Sequence, residues 1–235
     1  MVVVQEKVVQ EKTVQKMTLK RQIMTDPSPE QKVTEQHVEQ AEKNEARLLK
    51  KKAVVDQRIA AATEERGVTI LLTGNGKGKS SSAFGTMARA LGHGQKSAVI
   101  QFIKGRKATG EQLFFGSHPL VDFHVMGHGF TWETRNPELE KEAAEQAWAL
   151  AKSVLSDPSV HFVLLDEITY MYKYGYLNED DLIAALNSRP AHQNVMMTGR
   201  TAPRVLLDSV DTHSKIANER HAFANGVKAQ VGIEW

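Results

Sequence analysis

The sequence predicts an α/β fold with a mostly parallel, doubly wound sheet that is preceded by a helical arm. After Gly67, short apolar runs alternate with helical stretches, and several of the runs are apolar on successive residues. Strands that are buried on both faces of a parallel sheet have this continuous apolar pattern. Before Gly67 the chain is polar, with few large apolar side chains. We therefore expect a disordered leader over residues 1–25, a helical arm over 26–66 and an α/β domain over 67–235.

The composition is that of an ordinary soluble protein. The chain has 235 residues, with 30 Lys and Arg against 28 Asp and Glu, and it has no cysteine. Disulfides, thiolate metal sites and a cysteine nucleophile are therefore excluded. No apolar run approaches the roughly 18 to 20 residues that span a bilayer, and the first residues lack the pattern of a secretory signal. A net charge of +2 lacks the basic footprint of a nucleic-acid-binding protein. We expect a cytoplasmic protein with neither a membrane nor a nucleic acid as partner.

The leader and the arm differ in their pattern. Residues 1–25 repeat a short Val-Gln-Glu-Lys unit with too little apolar surface to offset the entropy of ordering. A helix start follows, with Ser28 as N-cap, Pro29 in the first helical position and Gln31 placed to complete a capping box. The helix should extend to about Glu65. Its sparse apolar residues are compatible with a solvated arm, a dimerisation element or a lid over a site.

The domain after Gly67 should contain five strands and four helices. We predict strands at residues 68–72, 98–103, 121–125, 160–165 and 195–197, and helices at 80–91, 138–155, 179–187 and 204–209. Strands and helices in alternation imply right-handed crossovers, and ligands of such folds bind at the carboxyl ends of the strands.

The strongest motif follows the first predicted strand and leads directly into a helix: Thr73-Gly74-Asn75-Gly76-Lys77-Gly78-Lys79-Ser80. Its glycines let backbone N–H groups turn toward an anion, and the helix N-terminus adds free donors and the positive end of its dipole. Lys79 supplies a mobile positive charge for phosphate oxygens, and the Ser80 hydroxyl is placed to bind Mg²⁺. Thr73 departs from the usual pattern, which has glycine there. We predict a P-loop that binds a nucleoside triphosphate.

A second motif is an apolar run that ends in two acids, Asp166 and Glu167. In a parallel sheet its end lies beside the P-loop, so that either carboxylate is placed to hold Mg²⁺ directly or through water. Three chemistries remain open from the residues alone: hydrolysis with Glu167 activating water, phosphoryl transfer, and a reaction in which triphosphate is the leaving group. The chain lacks the Asn-Lys-x-Asp segment of guanine-nucleotide switches and the cysteines of a thymidine-kinase zinc ribbon.

Further short motifs follow the P-loop: Ala83-Phe84-Gly85, Arg89-Ala90, Gly92-His93-Gly94, Gln101-Phe102-Ile103-Lys104-Gly105, Gly129-Phe130-Thr131-Trp132-Glu133-Thr134, Leu165-Asp166-Glu167-Ile168-Thr169-Tyr170, Leu186-Asn187-Ser188-Arg189-Pro190, Thr198-Gly199-Arg200 and Gly226-Val227-Lys228-Ala229-Gln230-Val231-Gly232-Ile233-Glu234. With the P-loop, they closely resemble the P-loop class of ATP:corrinoid adenosyltransferases, from about Gly67 to the C-terminus. Thr73 also fits that family's pattern. The resemblance implies a RecA-like α/β domain.

The resemblance implies that the 5′-deoxyadenosyl group of ATP is transferred to the cobalt of a reduced corrinoid, cob(I)alamin or cob(I)yrinic acid a,c-diamide, and that triphosphate is released. Cobalt(I) is the nucleophile, so no catalytic serine or base is needed. ATP would lie reversed relative to other P-loop enzymes. Mg²⁺, or Mn²⁺ in its place, would neutralise the triphosphate together with Lys79. The implied nucleotide-binding residues are Gly74, Asn75, Gly76, Lys77, Gly78, Lys79, Ser80 and Arg89, and the implied metal-binding residues are Ser80, Asp166 and Glu167.

Phe130 and Trp132 alternate with polar residues, so both rings can share one face. Such a pair ordinarily belongs to a core. The resemblance implies instead that the two rings act in catalysis with Lys79, by closing over the lower face of the corrin and displacing its axial ligand, which makes cobalt(II) easier to reduce. It also implies a reduced flavin or flavoprotein as electron donor, and a homodimer.

Three other features have more than one interpretation. His124 and His128 suggest a cobalt ligand, but a protein imidazole on cobalt would oppose the four-coordinate state, so we do not assign them that role. The glycine-rich and basic segment 104–118 either borders the substrate or is a solvated loop. Arg200 either reaches phosphate or pairs with an acid. A P-loop ATPase, a kinase and a non-catalytic ATP-dependent corrinoid carrier remain as alternative functions.

Overall fold

The computed structural model describes residues 29–103, 108–126 and 137–234, with side chains from residue 37 onward except at Pro137. The chain divides into two compact units, with the boundary between Glu64 and Glu65. The predicted leader, the N-cap Ser28, and both Phe130 and Trp132 lie outside the described residues.

The first unit contains one long helix, α1 (Pro29–Ala61). It begins at the residue predicted for the first helical position and ends about a turn before the predicted end at Glu65. All its described side chains, from residue 37 to residue 61, are exposed. The exposed apolar side chains are Val38, Leu48, Leu49, Val54, Val55 and Ile59. Within this unit, therefore, no described side chain forms a core.

The second unit is built on a six-stranded, all-parallel sheet in the order β3-β2-β4-β5-β1-β6. The strands are β1 (Thr69–Thr73), β2 (Ser97–Gln101), β3 (Val121–Val125), β4 (Phe162–Asp166), β5 (Asn194–Thr198) and β6 (Thr212–Lys215). The strand that leads into the P-loop, β1, is separated by β5 from β4, the strand that ends at Asp166. The carboxyl ends of these three strands therefore lie side by side at the same end of the sheet.

Helices cover both faces of the sheet. They are α2 (Lys79–Gly92), α3 (Gly110–Phe115), α4 (Pro137–Leu155), α5 (Thr169–Lys173), α6 (Glu179–Ser188) and α7 (Arg204–Ser209), with a 3₁₀ turn at Ala222–Asn225. Leu72 and Leu164 pack on the side of α2 and α3, whereas Leu71 and Leu165 pack on the side of α4, α6 and α7. Successive strand residues thus enter opposite cores, as a doubly wound sheet requires. The expected α/β fold class, a parallel and doubly wound sheet, is confirmed.

The structure differs from the predicted elements in detail. The five predicted strands are present with ends shifted by at most two residues, and 121–125 is unchanged. Strand β6 was not predicted because all four of its residues are polar and exposed. Helices α3 and α5 were not predicted because six and five residues are too few for a helical period to emerge. In the described part of the chain, no helix combines the length and the apolar content that crossing a membrane requires.

Candidate functional site

A cavity of about 620 Å³ opens at the carboxyl ends of β1, β2, β4 and β5. It lies entirely within the second unit. The P-loop lines it together with acids, one arginine, a group of aromatic residues and the last described residues of the chain. Its lining residues are Asn75, Gly76, Lys77, Gly78, Lys79, Ser80, Ser81, Phe84, Gln101, Thr109, Gly110, Glu111, Phe114, Phe115, Asp166, Glu167, Arg200, His221, Gly232, Ile233 and Glu234.

The P-loop backbone packs closely against the chain that follows β6. The Gly76 N–H donates to the Ile216 carbonyl at 3.0 Å, and a Cβ at Gly76 would lie 2.2 Å from the carbonyl oxygen of Ala217. Gly74 and Gly78 have φ values of 107° and 109°, which favour glycine. The glycines are therefore required both by backbone conformation and by close approach.

Thr73, which stands where the usual motif has glycine, ends β1 at the start of the loop. Its hydroxyl lies 2.8 Å from Nε2 of His213 on the neighbouring strand β6. A glycine could not make this contact. The departure from the usual motif therefore ties the start of the P-loop to the edge strand.

Lys79 is the first residue of α2, and its side chain turns back over the loop. The residue is buried, and Nζ donates to the Gly76 carbonyl at 2.7 Å. Burial lowers the pKa of Lys79, and the negative charge of Glu167 partly opposes that shift. The ammonium is thus held inside the loop and close to a carboxylate, where an incoming phosphate would find it already positioned.

Asp166 ends β4, and each of its carboxylate oxygens accepts a hydrogen bond from a neighbouring strand. Its Oδ1 accepts from the Thr198 hydroxyl at 2.7 Å and its Oδ2 from the Gln101 amide at 3.1 Å. The Ser80 side chain also lies close enough to lower the pKa of Asp166. Burial raises the pKa of Asp166 against the effect of these hydrogen bonds. The contact with Ser80 joins the end of β4 to the first turn of α2.

Glu167 adopts an unusual backbone conformation. Its φ of 59° is in the left-handed region, and its N–H donates to the Thr198 hydroxyl at 2.8 Å. Burial, followed by the charge of Asp166, raises the pKa of Glu167 to about 7, while Lys79 and Arg200 act in the opposite direction. The Oε2 atom is buried and has no hydrogen-bond partner among the described residues. This oxygen is therefore held at the cavity without a donor from the described part of the chain.

The donors around Asp166 suit a hard divalent cation. Ser80 supplies a hydroxyl, Asp166 and Glu167 supply carboxylates, and the unpartnered Oε2 of Glu167 is an oxygen that a cation would satisfy. Among the described residues, no group of three or more acids and histidines could hold a metal ion. The arrangement fits Mg²⁺ that is shared with phosphate oxygens and water, since Mg²⁺ commonly takes only one or two protein carboxylates.

Two further groups of residues line the cavity. Sequence reasoning gave no individual residue of either group a role in the site, although Phe114 and Phe115 lie in the segment 104–118, one interpretation of which was that it borders the substrate. Phe84 and Phe115 stack at 5.8 Å between ring centroids, and Phe114 meets Phe115 edge-on at 4.9 Å. At the C-terminal end, the Glu234 carboxylate lies 2.7 Å from the Lys77 ammonium in the P-loop. The closing motif noted in the sequence thus lies against the phosphate loop.

Of the remaining residues considered in the sequence analysis, some line the cavity and others do not. Gly74 belongs to the loop but does not line the cavity, and Arg89 is exposed in the last turn of α2, also outside the lining. Arg200 lines the cavity and lies close enough to Tyr170 and Glu167 to act against the rise of their pKa values. His124 lines a separate small cavity beside α4. Of the segment 104–118, residues 104–107 lie outside the described residues, as does His128, whereas Thr109, Gly110 and Glu111 border the cavity.

Thr198 and Gln101 also belong to the site, although the sequence reasoning gave them no role. Both residues end strands and hydrogen-bond to Asp166. The signal that identifies them is positional, because polar residues that end buried strands next to β4 meet at the same edge of the sheet. Recognising it requires the strand order, which the sequence pattern alone did not provide.

Comparison with known proteins identifies the family of this chain. Residues 65–235 match the family model described as ATP:corrinoid adenosyltransferase BtuR/CobO/CobP. The corrinoid adenosyltransferase of Pseudomonas aeruginosa is 49% identical over 198 residues, which cover 84% of this chain and 98% of that protein. The corrinoid adenosyltransferase CobA of Salmonella typhimurium is 50% identical and that of Escherichia coli K12 47% identical, each over 83% of this chain and 98% of the relative. The chain belongs to the ATP:corrinoid adenosyltransferase family.

Proposed function

We propose that this protein transfers the 5′-deoxyadenosyl group of ATP to the cobalt of a reduced corrinoid and releases triphosphate. The observation that carries the proposal is the family match over residues 65–235, the range that contains every residue lining the P-loop cavity. The cobalt(I) lone pair attacks C5′ of the ribose, a cobalt–carbon bond forms and the C5′–O bond breaks. The bonding pair leaves with the triphosphate, so the step needs no proton transfer.

The residues of the cavity would bind and orient the triphosphate. Backbone N–H groups at the end of the P-loop and in the first turn of α2 would bind it, and Lys79 would change its partner from the Gly76 carbonyl to phosphate oxygens. Ser80, Asp166 and Glu167 would hold Mg²⁺, which when bound neutralises charge that grows on the leaving group. A nucleotide fixed by its phosphates leaves C5′ in a constant position for attack. We also assign Gly74, Asn75, Lys77 and Arg89 to nucleotide binding, on the family resemblance.

The remaining assignments follow from the same resemblance. Phe130 and Trp132 would cover the lower face of the corrin and remove its axial ligand, so that cobalt(II) accepts an electron more readily. A reduced flavin or flavoprotein would supply that electron. We further propose that the protein acts in the cytoplasm as a homodimer, in the synthesis or salvage of adenosylcobalamin.

Product analysis tests the reaction. The purified protein is mixed with ATP, Mg²⁺ and chemically reduced cob(I)alamin, and products are followed by absorbance and by phosphate chromatography. We expect an alkylated corrinoid and an equal amount of triphosphate. Release of orthophosphate without alkylation would instead indicate an ATPase, and bound, unchanged ATP would indicate a corrinoid carrier. Either result would refute the proposed transfer.

Replacing Trp132 with alanine separates the redox role from the transfer step. We expect Trp132→Ala to slow adenosylation that starts from cobalt(II) with reduced flavin much more than adenosylation of cobalt(I) prepared beforehand, because only the first route needs the axial ligand removed. The two rates are compared with those of Trp148→Phe, a substitution in the core beside α6. Equal losses in both assays would make Trp132 a structural residue.

A further inference from the structure

The hydroxyl of Thr198 makes two hydrogen bonds that join both acids of the site. It donates to Oδ1 of Asp166 at 2.7 Å and accepts from the backbone N–H of Glu167 at 2.8 Å. Thr198 is the last residue of β5, and its side chain is completely buried. One oxygen atom between β1 and β4 therefore contacts the side chain of one acid and the backbone of the next.

These two contacts fix a sharp change of direction in the chain. Asp166 continues the extended conformation of β4, whereas Glu167 has a φ of 59°, which is unfavourable for a residue with a side chain. Because of the left-handed conformation, the side chains of Asp166 and Glu167 have different neighbours. Asp166 meets Ser80 and Gln101, whereas the Glu167 carboxylate enters the cavity near Lys79 and Arg200.

We propose that Thr198 is a positioning residue for the metal site, holding Asp166 against Ser80 and stabilising the left-handed turn that directs the Glu167 carboxylate into the cavity. The inference rests on the proposed function, because it takes Ser80, Asp166 and Glu167 as the residues that hold Mg²⁺. It adds a residue that touches neither metal nor nucleotide. Gly199 supports it, because a Cβ there would lie 1.7 Å from the hydroxyl oxygen of Thr169, so the chain after Thr198 cannot easily shift.

The chain offers a closely matched control at the other end of the sheet. Thr69, the first residue of β1, is also buried and also uses its hydroxyl twice, donating to Oδ2 of Asp211 at 2.9 Å and accepting from the Asp211 N–H at 3.0 Å. Thr69→Val and Thr198→Val remove the same group from the same kind of environment. Only the second substitution disturbs the acids of the cavity.

The test is a Mg²⁺ titration of ATP binding to the full chain, measured by calorimetry without corrinoid. We expect Thr198→Val to raise the Mg²⁺ concentration needed for half-maximal binding roughly 10- to 100-fold, as the loss of outer-shell contacts does at other metal sites. ATP binding in the presence of a chelator should stay unchanged. Thr198→Ser keeps the hydroxyl and should need the same Mg²⁺ concentration as the wild type. Thr69→Val should reduce thermal stability but leave the Mg²⁺ requirement unchanged. Thr198→Ala replaces the valine variant if that variant does not fold.

A Mg²⁺ requirement that is unchanged in Thr198→Val, or raised equally in Thr69→Val, would overturn the inference. Its failure is distinguishable from failure of the proposed function. If the wild-type protein forms no cobalt–carbon bond while Thr198→Val still raises the Mg²⁺ requirement, the transfer is refuted and the positioning role stands. If transfer occurs and Thr198→Val has the Mg²⁺ requirement of the wild type, the proposed transfer stands and the positioning role is refuted.

Discussion

At the scale of single residues, the cavity brings opposite charges together before any ligand is bound. Lys79 and Arg200 face Glu167, and Asp166 lies beside it. Burial lowers the pKa of Lys79 and raises that of both acids, so each charge is less stable here than in water. A triphosphate with its divalent cation would supply the missing partners for both signs. The charges that line the cavity thus complement the proposed ligands.

Removal of the Lys79 ammonium tests this complementarity. We expect Lys79→Ala to reduce turnover with saturating ATP and cob(I)alamin by roughly 100- to 1,000-fold, because one preorganised contact to a developing charge contributes about 3 kcal/mol. The formation rate of the alkylated corrinoid is measured by absorbance. Lys96→Ala is the control, since the Lys96 ammonium lies 3.1 Å from Asp122 in an exposed ion pair outside the cavity. Near-normal turnover in Lys79→Ala would remove the P-loop from the mechanism.

At the scale of elements, the P-loop depends on a segment far away in sequence. The chain after β6 lies so close that side chains at Gly74 and Gly76 would meet the carbonyls of Ile216 and Ala217 at 2.2 Å. The loop is therefore shaped by contact with this segment as well as by its own glycines. Anything that separates the two should change the direction of the N–H groups intended for phosphate.

Gly76→Ala tests this dependence. The added methyl group has to displace either the loop or residue 217, and we expect a loss of about 1 to 3 kcal/mol in the free energy of unfolding together with weaker ATP binding. Thermal denaturation and calorimetry measure the two effects. Gly85→Ala is the matched control, because nothing lies within 4 Å of a Cβ at this position in α2. That variant should be as stable as the wild type or more so, by up to about 1 kcal/mol. Equal behaviour of the two variants would contradict the packing argument.

The sequence predicted those elements whose signal lies in consecutive residues. Strands β1, β2, β4 and β5 are largely buried and mostly apolar, and the glycines of the P-loop are required by local conformation, so both leave a pattern in the sequence. Strand β6, the role of Thr198 and the contact between Lys77 and Glu234 depend on the order of strands and on long-range approach. Patterns of neighbouring residues contain no information about such pairs.

At the scale of the whole domain, one aspartate ties the amino end of β1 to the edge of the sheet. Asp211 precedes β6, and its Oδ1 accepts from the Arg66 guanidinium at 2.6 Å, while its Oδ2 accepts from the backbone N–H of Thr69 at 2.8 Å. These hydrogen bonds lower the pKa of Asp211 well below its usual range, and the one from Arg66 has the largest effect. A carboxyl group whose pKa is lower in the folded protein stabilises the fold only while it is ionised.

The pH dependence of stability tests this tie. Asp211→Asn should lower the unfolding free energy of the domain at neutral pH by about 1 to 3 kcal/mol, because hydrogen bonds to a charged group are lost. The stabilising effect of Asp211 is fully present above the pKa of an unfolded aspartate, about 4, and is lost as the pH falls toward its folded pKa. Thermal midpoints of the variant and the wild type should therefore converge below about pH 4. Asp208→Asn, which removes an exposed pair with Arg204, should have little effect at any pH. A constant difference between Asp211→Asn and the wild type would contradict this account.

The polar character of β6 has a consequence beyond the fold. This outermost strand carries Thr212, His213, Ser214 and Lys215, all exposed, at one rim of the sheet. Unpaired strand rims are where separate molecules join into aggregates, and charged or polar side chains there oppose such joining. The polar residues that kept β6 from being predicted should therefore also oppose fibril growth at this rim when the protein is concentrated.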